Sequence, residues 1–426
     1  MPVSAASIAV ALAVAVLVVS ALPGAATTPM VRSLTRAAQE LEEAERSLSN
    51  GATFRSPSKR WGEMMVWDAA DQCVLLFGGS NGVNDTWTFA NGAWAQLTPA
   101  SAPSPRQYAG IAYDPQLGAV VLFGGHHAVT IGGVSVTLEL NDTWTYAAGK
   151  WTNITRSVGK APPGRESMGL AYDSSDGYLL LFGGLSQSGT PLNDTWALES
   201  EKWVELSPEN SPPARSAPAM VFDAATGSVV LYGGIGQVNG AQPYYDDTWS
   251  YRAGVWSNAT QAVAPTGRAW TMATYYGNGS TGYVLEFGGQ ANHLKTPTTA
   301  QATTYRYGTG GWTNVTPSYS PGTRFGGGMA YDPAAGYALL FGGLNATTVV
   351  AHALNDTWAY AGGVWTNLTP GARAPPSGGA GPGWSVLDSL GVLVAAGVVV
   401  ALATAVLLWH RRRRVPPSSG GGSSYS

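Results

Sequence analysis

The chain has 426 residues, 45% of them hydrophobic and only 12% charged, with 55 glycines, 16 tryptophans and one cysteine. That balance excludes a disordered chain, and a single cysteine excludes an intrachain disulfide. A net charge of −3 and an isoelectric point near 6.0 leave no basic footprint for nucleic acid, so DNA and RNA are discounted as partners.

Residues 1–28 begin with an apolar run, Ile8 to Leu22, followed by Pro23-Gly24-Ala25-Ala26, which reads as a secretory signal peptide with its small-residue cleavage site after Ala26. The basic n-region is missing, so an uncleaved N-terminal membrane segment is the alternative. Residues 29–51 change character. From Ser33 to Asn50 the text is rich in Ala, Glu, Leu and Arg, opens on a Ser N-cap and stops before Gly51, which predicts a short helix acting as a spacer.

Between 52 and 370 one unit recurs six times. An apolar run closes on a glycine pair at Gly78-Gly79, Gly124-Gly125, Gly183-Gly184, Gly233-Gly234, Gly288-Gly289 and Gly342-Gly343, a period of roughly 50 residues. Two aromatics seven residues apart follow each pair: Trp87/Trp94, Trp144/Trp151, Trp196/Trp203, Trp249/Trp256, Tyr305/Trp312 and Trp358/Trp365. An arginine opens each unit at Arg60, Arg106, Arg165, Arg215, Arg268 or Arg324, 18 residues before the pair in five units and 20 in the fifth. These markers resemble the kelch repeat, whose units are similar to the blades of the galactose oxidase central domain. The resemblance implies an all-β, six-bladed propeller. The residues predict the same: each unit reads as four short strands with Asp-, Pro- and Gly-bearing turns, for example Asp332-Pro333-Ala334-Ala335-Gly336. A lone four-stranded meander cannot bury both faces, so the blades must stack and close a ring, blade 1 against blade 6.

Cys73 falls in the apolar strand Cys73-Val74-Leu75-Leu76-Phe77 and reads as core. The galactose oxidase copper site uses a cysteine cross-linked to a tyrosine, so that activity does not carry over. No cofactor is expected.

Unit length varies almost wholly between the diglycine and the next aromatic, with separations of 9, 20, 13, 16, 17 and 16 residues. Variable loops on a constant scaffold are where binding usually resides. The longest, in blade 2, predicts a small hairpin around Gly132-Gly133. His126 and His127 of that loop, Tyr244 and Tyr245 of blade 4 and His293 of blade 5 are the candidate ligand-binding residues, with Arg268 and Arg324. No fixed ligand spacing links these histidines or His352, and no metal site is expected. The six arginines and the Asp that opens the third strand (Asp85, Asp142, Asp194, Asp247, Asp356) read as a structural ion pair per blade, with an anion-binding ring as the second reading. Blade 5 has Thr303 instead of Asp, so Arg268 or Arg324 is expected to lack a partner.

Residues 371–386 form a Pro/Gly linker, and 387–409 read as a transmembrane helix: Leu390 to Leu408 is free of charge and spans roughly 28 Å at 1.5 Å per residue, flanked by Trp384 and Trp409. In the tail, 410–426, Arg411 to Arg414 predict a cytoplasmic C-terminus and an extracellular propeller. Ten Asn-X-Ser/Thr sequons agree with that side: Asn84, Asn141, Asn153, Asn193, Asn258, Asn278, Asn314, Asn345, Asn355 and Asn367. No Ser/His/Asp order, phosphate loop or paired-carboxylate motif stands out. The leading expectation is a membrane-anchored cell-surface module that binds an extracellular protein or glycan through its loop face. An extracellular carbohydrate-active enzyme with its site at the propeller mouth is the alternative.

Overall fold

The second strand of every unit explains the architecture. Val74, Leu75, Leu76 and Phe77 are fully buried, as are Val120 to Phe123 and Leu179 to Phe182, so these strands are covered on both faces. Alternate side chains go to opposite neighbours: Val74 and Leu76 pack with Ala330, Leu339 and Phe341 of the sixth unit, whereas Leu75 and Phe77 pack with Val120 and Leu122 of the second. The hydrophobic interior is therefore a set of six inter-blade clusters, one at each junction.

The computed structural model describes residues 55–131, 134–291, 299–345 and 351–369. They form a six-bladed propeller with four antiparallel strands per blade, spanning 64–97, 110–153, 169–206, 219–258, 272–314 and 328–367. Blade 1 shows the pattern: Met64–Asp68 pairs with Cys73–Phe77, which pairs with Thr86–Ala90, which pairs with Ala93–Leu97. The first turn is held as its Asp predicts, with Asp332 Oδ1 accepting the N–H groups of Ala334 and Ala335. Cys73 is buried, and burial pushes its thiol up to about 12. The stretches 1–28, 29–51, 371–386, 387–409 and 410–426 lie outside the described residues. Among the described residues no helix is long and apolar enough to cross a membrane.

Both glycines of each pair have positive φ, and each has its own role. A Cβ on the first would meet the carbonyl of the next unit's arginine, 2.7 Å away at Gly183 and Arg215. The N–H of the second donates to that same carbonyl, as Gly184 does to Arg215 at 2.9 Å, and the series closes with Gly343 donating to Arg60 at 3.0 Å. A further ring joins the outer parts of the blades. The fourth-strand Trp donates its indole N–H to the third-strand Thr of the preceding blade at 2.9 to 3.2 Å, in all six junctions, with Trp94 and Thr357 closing the ring. Blade 1 thus meets blade 6 as any other pair of neighbours meets, and among the described residues no strand is borrowed across the junction.

The repeated arginine is among the most buried side chains in the molecule. Arg60 Nη1 donates to Gly78 O and Asp85 Oδ1, and Nη2 to Asp85 Oδ2, while Trp87 Nε1 donates to the same carboxylate at 2.7 Å. Arg106, Arg165, Arg215 and Arg324 repeat this with Asp142, Asp194, Asp247 and Asp356. The bidentate guanidinium and the indole hold each Asp carboxyl below the usual carboxylate range, against the upward push of burial.

The expectation that Arg268 or Arg324 lacks a partner is corrected. Arg324 has Asp356, and Arg268 has a substitute: Nη1 donates to Thr303 Oγ1 at 2.9 Å and lies 3.8 Å from the carboxylate of Glu286. Glu286 occupies the strand position filled by Leu76, Leu122, Leu181, Leu231 and Leu340 elsewhere. Tyr305 belongs to the same exchange. Without an Asp to receive an indole N–H, blade 5 carries a tyrosine whose ring lies 5.3 Å from the Arg268 guanidinium.

Candidate binding site at the channel mouth

The residue two places after each arginine turns the chain onto the propeller axis. These residues are Gly62, Tyr108, Ser167, Ala217, Trp270 and Gly326, and all six have φ between 50° and 68°. Each donates its N–H to the carbonyl of its counterpart in the preceding blade at 2.6 to 3.1 Å, from Gly62 to Gly326 round to Gly326 to Trp270. The result is a closed ring of backbone hydrogen bonds about the axis. Glycine suits that conformation; a bulky residue there costs about 1–2 kcal/mol. Strain of this kind is kept where it places a side chain. Here it places two aromatics.

Tyr108 and Trp270 stand with ring centroids 6.4 Å apart, and Phe325 lies 6.0 Å beyond Trp270. On the other side, the His126 imidazole is 5.9 Å from Tyr108. Inward of this row is a cavity of about 210 Å³ along the axis, lined by the first strands and carrying Glu63, Met65, Met168, Met220 and Met329. Glu63 is buried. Its Oε1 accepts the Gly328 N–H, Oε2 has no hydrogen-bond partner among the described residues, and burial lifts its carboxyl from 4.5 to about 8.

Beside Tyr108 the blade 2 loop forms the predicted hairpin, His126–Ile131 paired with Val134–Glu139. Its register sets His126 opposite Glu139. The hairpin is rooted at the mouth, because His126 and Gln107 exchange two backbone hydrogen bonds of 3.0 and 3.1 Å. Glu166, next to the buried Arg165, is held against blade 3 by pairing with Leu185. His126 Nδ1 is hydrogen-bonded to Glu166 Oε2, and one donor atom each from His126, Glu139 and Glu166 lie within 4.8 Å of one another. Burial pushes the His126 imidazole down, but the hydrogen bond and charge of Glu166 outweigh it, so its pKa is raised. Burial and the Glu166 charge together lift Glu139 to about 7.

Of the residues singled out from the sequence, His126 reaches this mouth and His127 does not join the cluster. Tyr244 packs with Trp270 against Ala217, Ile235 and Ala269. Tyr245 lies 4.1 Å over the Arg215 guanidinium. Arg268 and Arg324 are buried within their blades, His352 is exposed on blade 6, and His293 lies outside the described residues. The sequons divide between structural positions. Asn153, Asn258, Asn314 and Asn367 accept the N–H of the Thr two residues on at 2.8 to 3.0 Å, and that Thr accepts a third-strand N–H. Asn84, Asn141 and Asn193 are exposed at the start of third strands, with Asn355 half-buried at the same place; Asn278 is exposed and Asn345 half-buried in loops.

The reading from sequence missed Tyr108, Trp270, Phe325, Glu139 and Glu166. A signal existed: the residue two places after the arginine is Gly, Ser or Ala in four units, and two large aromatics break that series.

The fold defines the class as a kelch-like six-bladed β-propeller. Among solved structures, YjhT is similar, with a TM-score of 0.55 and 15% identity over 73% of this chain and 98% of that one. Neither a family model nor a curated protein matches the chain.

Proposed function

We propose that this propeller is a cell-surface binding module, anchored through residues 387–409, that engages the end of a glycan at the channel mouth. The observation that carries this reading is the pair of strained aromatics, Tyr108 and Trp270, held on the axis where glycine would fit without strain. A pyranose ring has an apolar C–H face that stacks on such rings and a rim of hydroxyls that pair with carboxylates and imidazole, here Glu139, Glu166 and His126. Sites of this type combine apolar walls with a few placed polar groups. The exposed sequons Asn84, Asn141, Asn153, Asn193, Asn258, Asn278 and Asn314 fit an extracellular side.

The test is a glycan array probed with the wild-type chain and with Trp270→Gly. Glycine relieves the backbone strain while removing the ring, so the variant should keep its melting temperature within a few degrees and bind at least about tenfold more weakly, or 1.4 kcal/mol. Equal binding by the two proteins, or no glycan retained by either, would sink the reading.

A further inference from the structure

We propose that His126, Glu139 and Glu166 form a binding site for a divalent transition-metal ion such as Zn²⁺ or Mn²⁺, beside the aromatic row at the mouth. Three observations meet here. One donor atom from each residue lies within 4.8 Å of the other two, a span that closes on a single ion with small side-chain movements, since Zn–N and Zn–O bonds of roughly 2.0–2.2 Å set tetrahedral ligands roughly 3.4 Å apart. Glu139 Oε2 is shut off from solvent and has no hydrogen-bond partner among the described residues, so it is an acceptor without a donor. Two carboxyls also face one imidazole, so the cluster is negative with both ionised even when His126 is protonated, and among the described residues neither carboxyl has an arginine or lysine partner.

The donors are preorganised by backbone. His126 and Glu139 are opposite residues of one hairpin, and Glu166 comes from the blade 3 segment that pairs with Leu185. Binding replaces the proton shared by His126 and Glu166: the Nδ1 proton leaves to solvent, its lone pair goes to the metal, and the hydrogen of the neutral imidazole is carried on Nε2. The Gln107 side-chain amide lies at the other ring nitrogen, its Nε2 3.2 Å from His126 Nε2, and a turn of that amide brings Oε1 round to accept the Nε2–H of the metal-bound imidazole. One nitrogen and two carboxylates with no thiolate select ions of this class over Cu(I), and three protein ligands would leave positions for water or a ligand hydroxyl.

The site does not depend on the glycan reading, and the test measures the ion alone. The purified full-length chain, stripped with EDTA, is titrated with Co²⁺ and followed by visible d–d absorption, then challenged with Zn²⁺. Expected are one equivalent bound, Zn²⁺ displacing Co²⁺, and a melting temperature raised by Zn²⁺. Glu139→Gln and Glu166→Gln should each weaken binding at least tenfold, and neither should lower the melting temperature without metal. His127→Asn, on the same hairpin, should bind as wild type. Absence of Co²⁺ absorption up to 1 mM, or undiminished affinity in both glutamine variants, would overturn the proposal.

Discussion

At the scale of single residues, blade 5 shows how a repeat tolerates loss of its central ion pair. Arg268 is as buried as its five counterparts but has Thr303 where they have Asp, and Glu286 supplies the carboxylate from a strand position that is otherwise leucine. The substitute is less complete: Glu286 has no hydrogen-bond partner among the described residues, and burial lifts its carboxyl to about 7 despite Arg268. Glu286→Leu alone leaves a buried guanidinium without a carboxylate, and Thr303→Asp alone leaves Glu286 without its counter-charge. The double variant rebuilds the arrangement of the other blades. In a chemical denaturation cycle it should be more stable than either single variant, with a favourable coupling of at least about 1 kcal/mol. Additive effects would show that Glu286 and Thr303 do not act through Arg268.

Glu63 gives a pH dependence of known sign. Burial raises its carboxyl from 4.5 to about 8, beyond what the Gly328 N–H and the charges of Arg60 and Arg324 offset. The folded state therefore keeps a proton that the unfolded chain releases above pH 4.5. The stability linked to this group is full below that pH and is lost as pH rises through about 8. Glu286 acts in the same direction toward about 7. Above the acid range in which the five Arg-paired Asp carboxyls titrate and act in the opposite direction, denaturation midpoints should fall as the buffer is taken through neutral to mildly alkaline, and Glu63→Gln, which keeps an acceptor for Gly328, should flatten the decline. An unchanged slope in the variant would assign it to other groups.

At the scale of elements, the diglycine is where one blade is set against the next. Gly183 and Gly149 both have positive φ, yet a Cβ on Gly183 would meet Arg215 O at 2.7 Å, whereas nothing lies within 4 Å of the same position on Gly149. Gly149→Ala should cost about 1 kcal/mol, the conformational term alone. Gly183→Ala should cost at least twice that, because the clash is with backbone and also displaces the bond from Gly184 to Arg215. Similar losses at both positions would mean that the blade junction relaxes freely.

At the scale of the whole molecule, closure is lateral at every junction, and the chain enters and leaves the propeller at the contact between blades 1 and 6. Residues 387–409 and Arg411 to Arg414 give a separate expectation for orientation. Protease added to intact cells should degrade residues 60–370 and leave only a short tail fragment. A protected propeller would reverse the topology and remove the cell-surface reading.

The sequence by itself determined the number of blades, their four-strand plan, the arginine–aspartate pair and the blade 2 hairpin. These depend on interactions repeated at fixed spacing: Arg to diglycine is 18 residues in five units because a buried guanidinium must reach the Gly carbonyl and the Asp that follows it. The blade 5 exchange was legible only as the missing Asp at Thr303; its substitute, Glu286, was passed over although it is the one acid in a column of leucines. The mouth was decided by tertiary structure. His126, Glu139 and Glu166 span 40 residues and two blades, and Tyr108 and Trp270 are 162 positions apart, so no local period joins them. They meet because closing the ring brings every residue two places after an arginine to one axis, where a backbone hydrogen bond fixes it and only its side chain is left to vary.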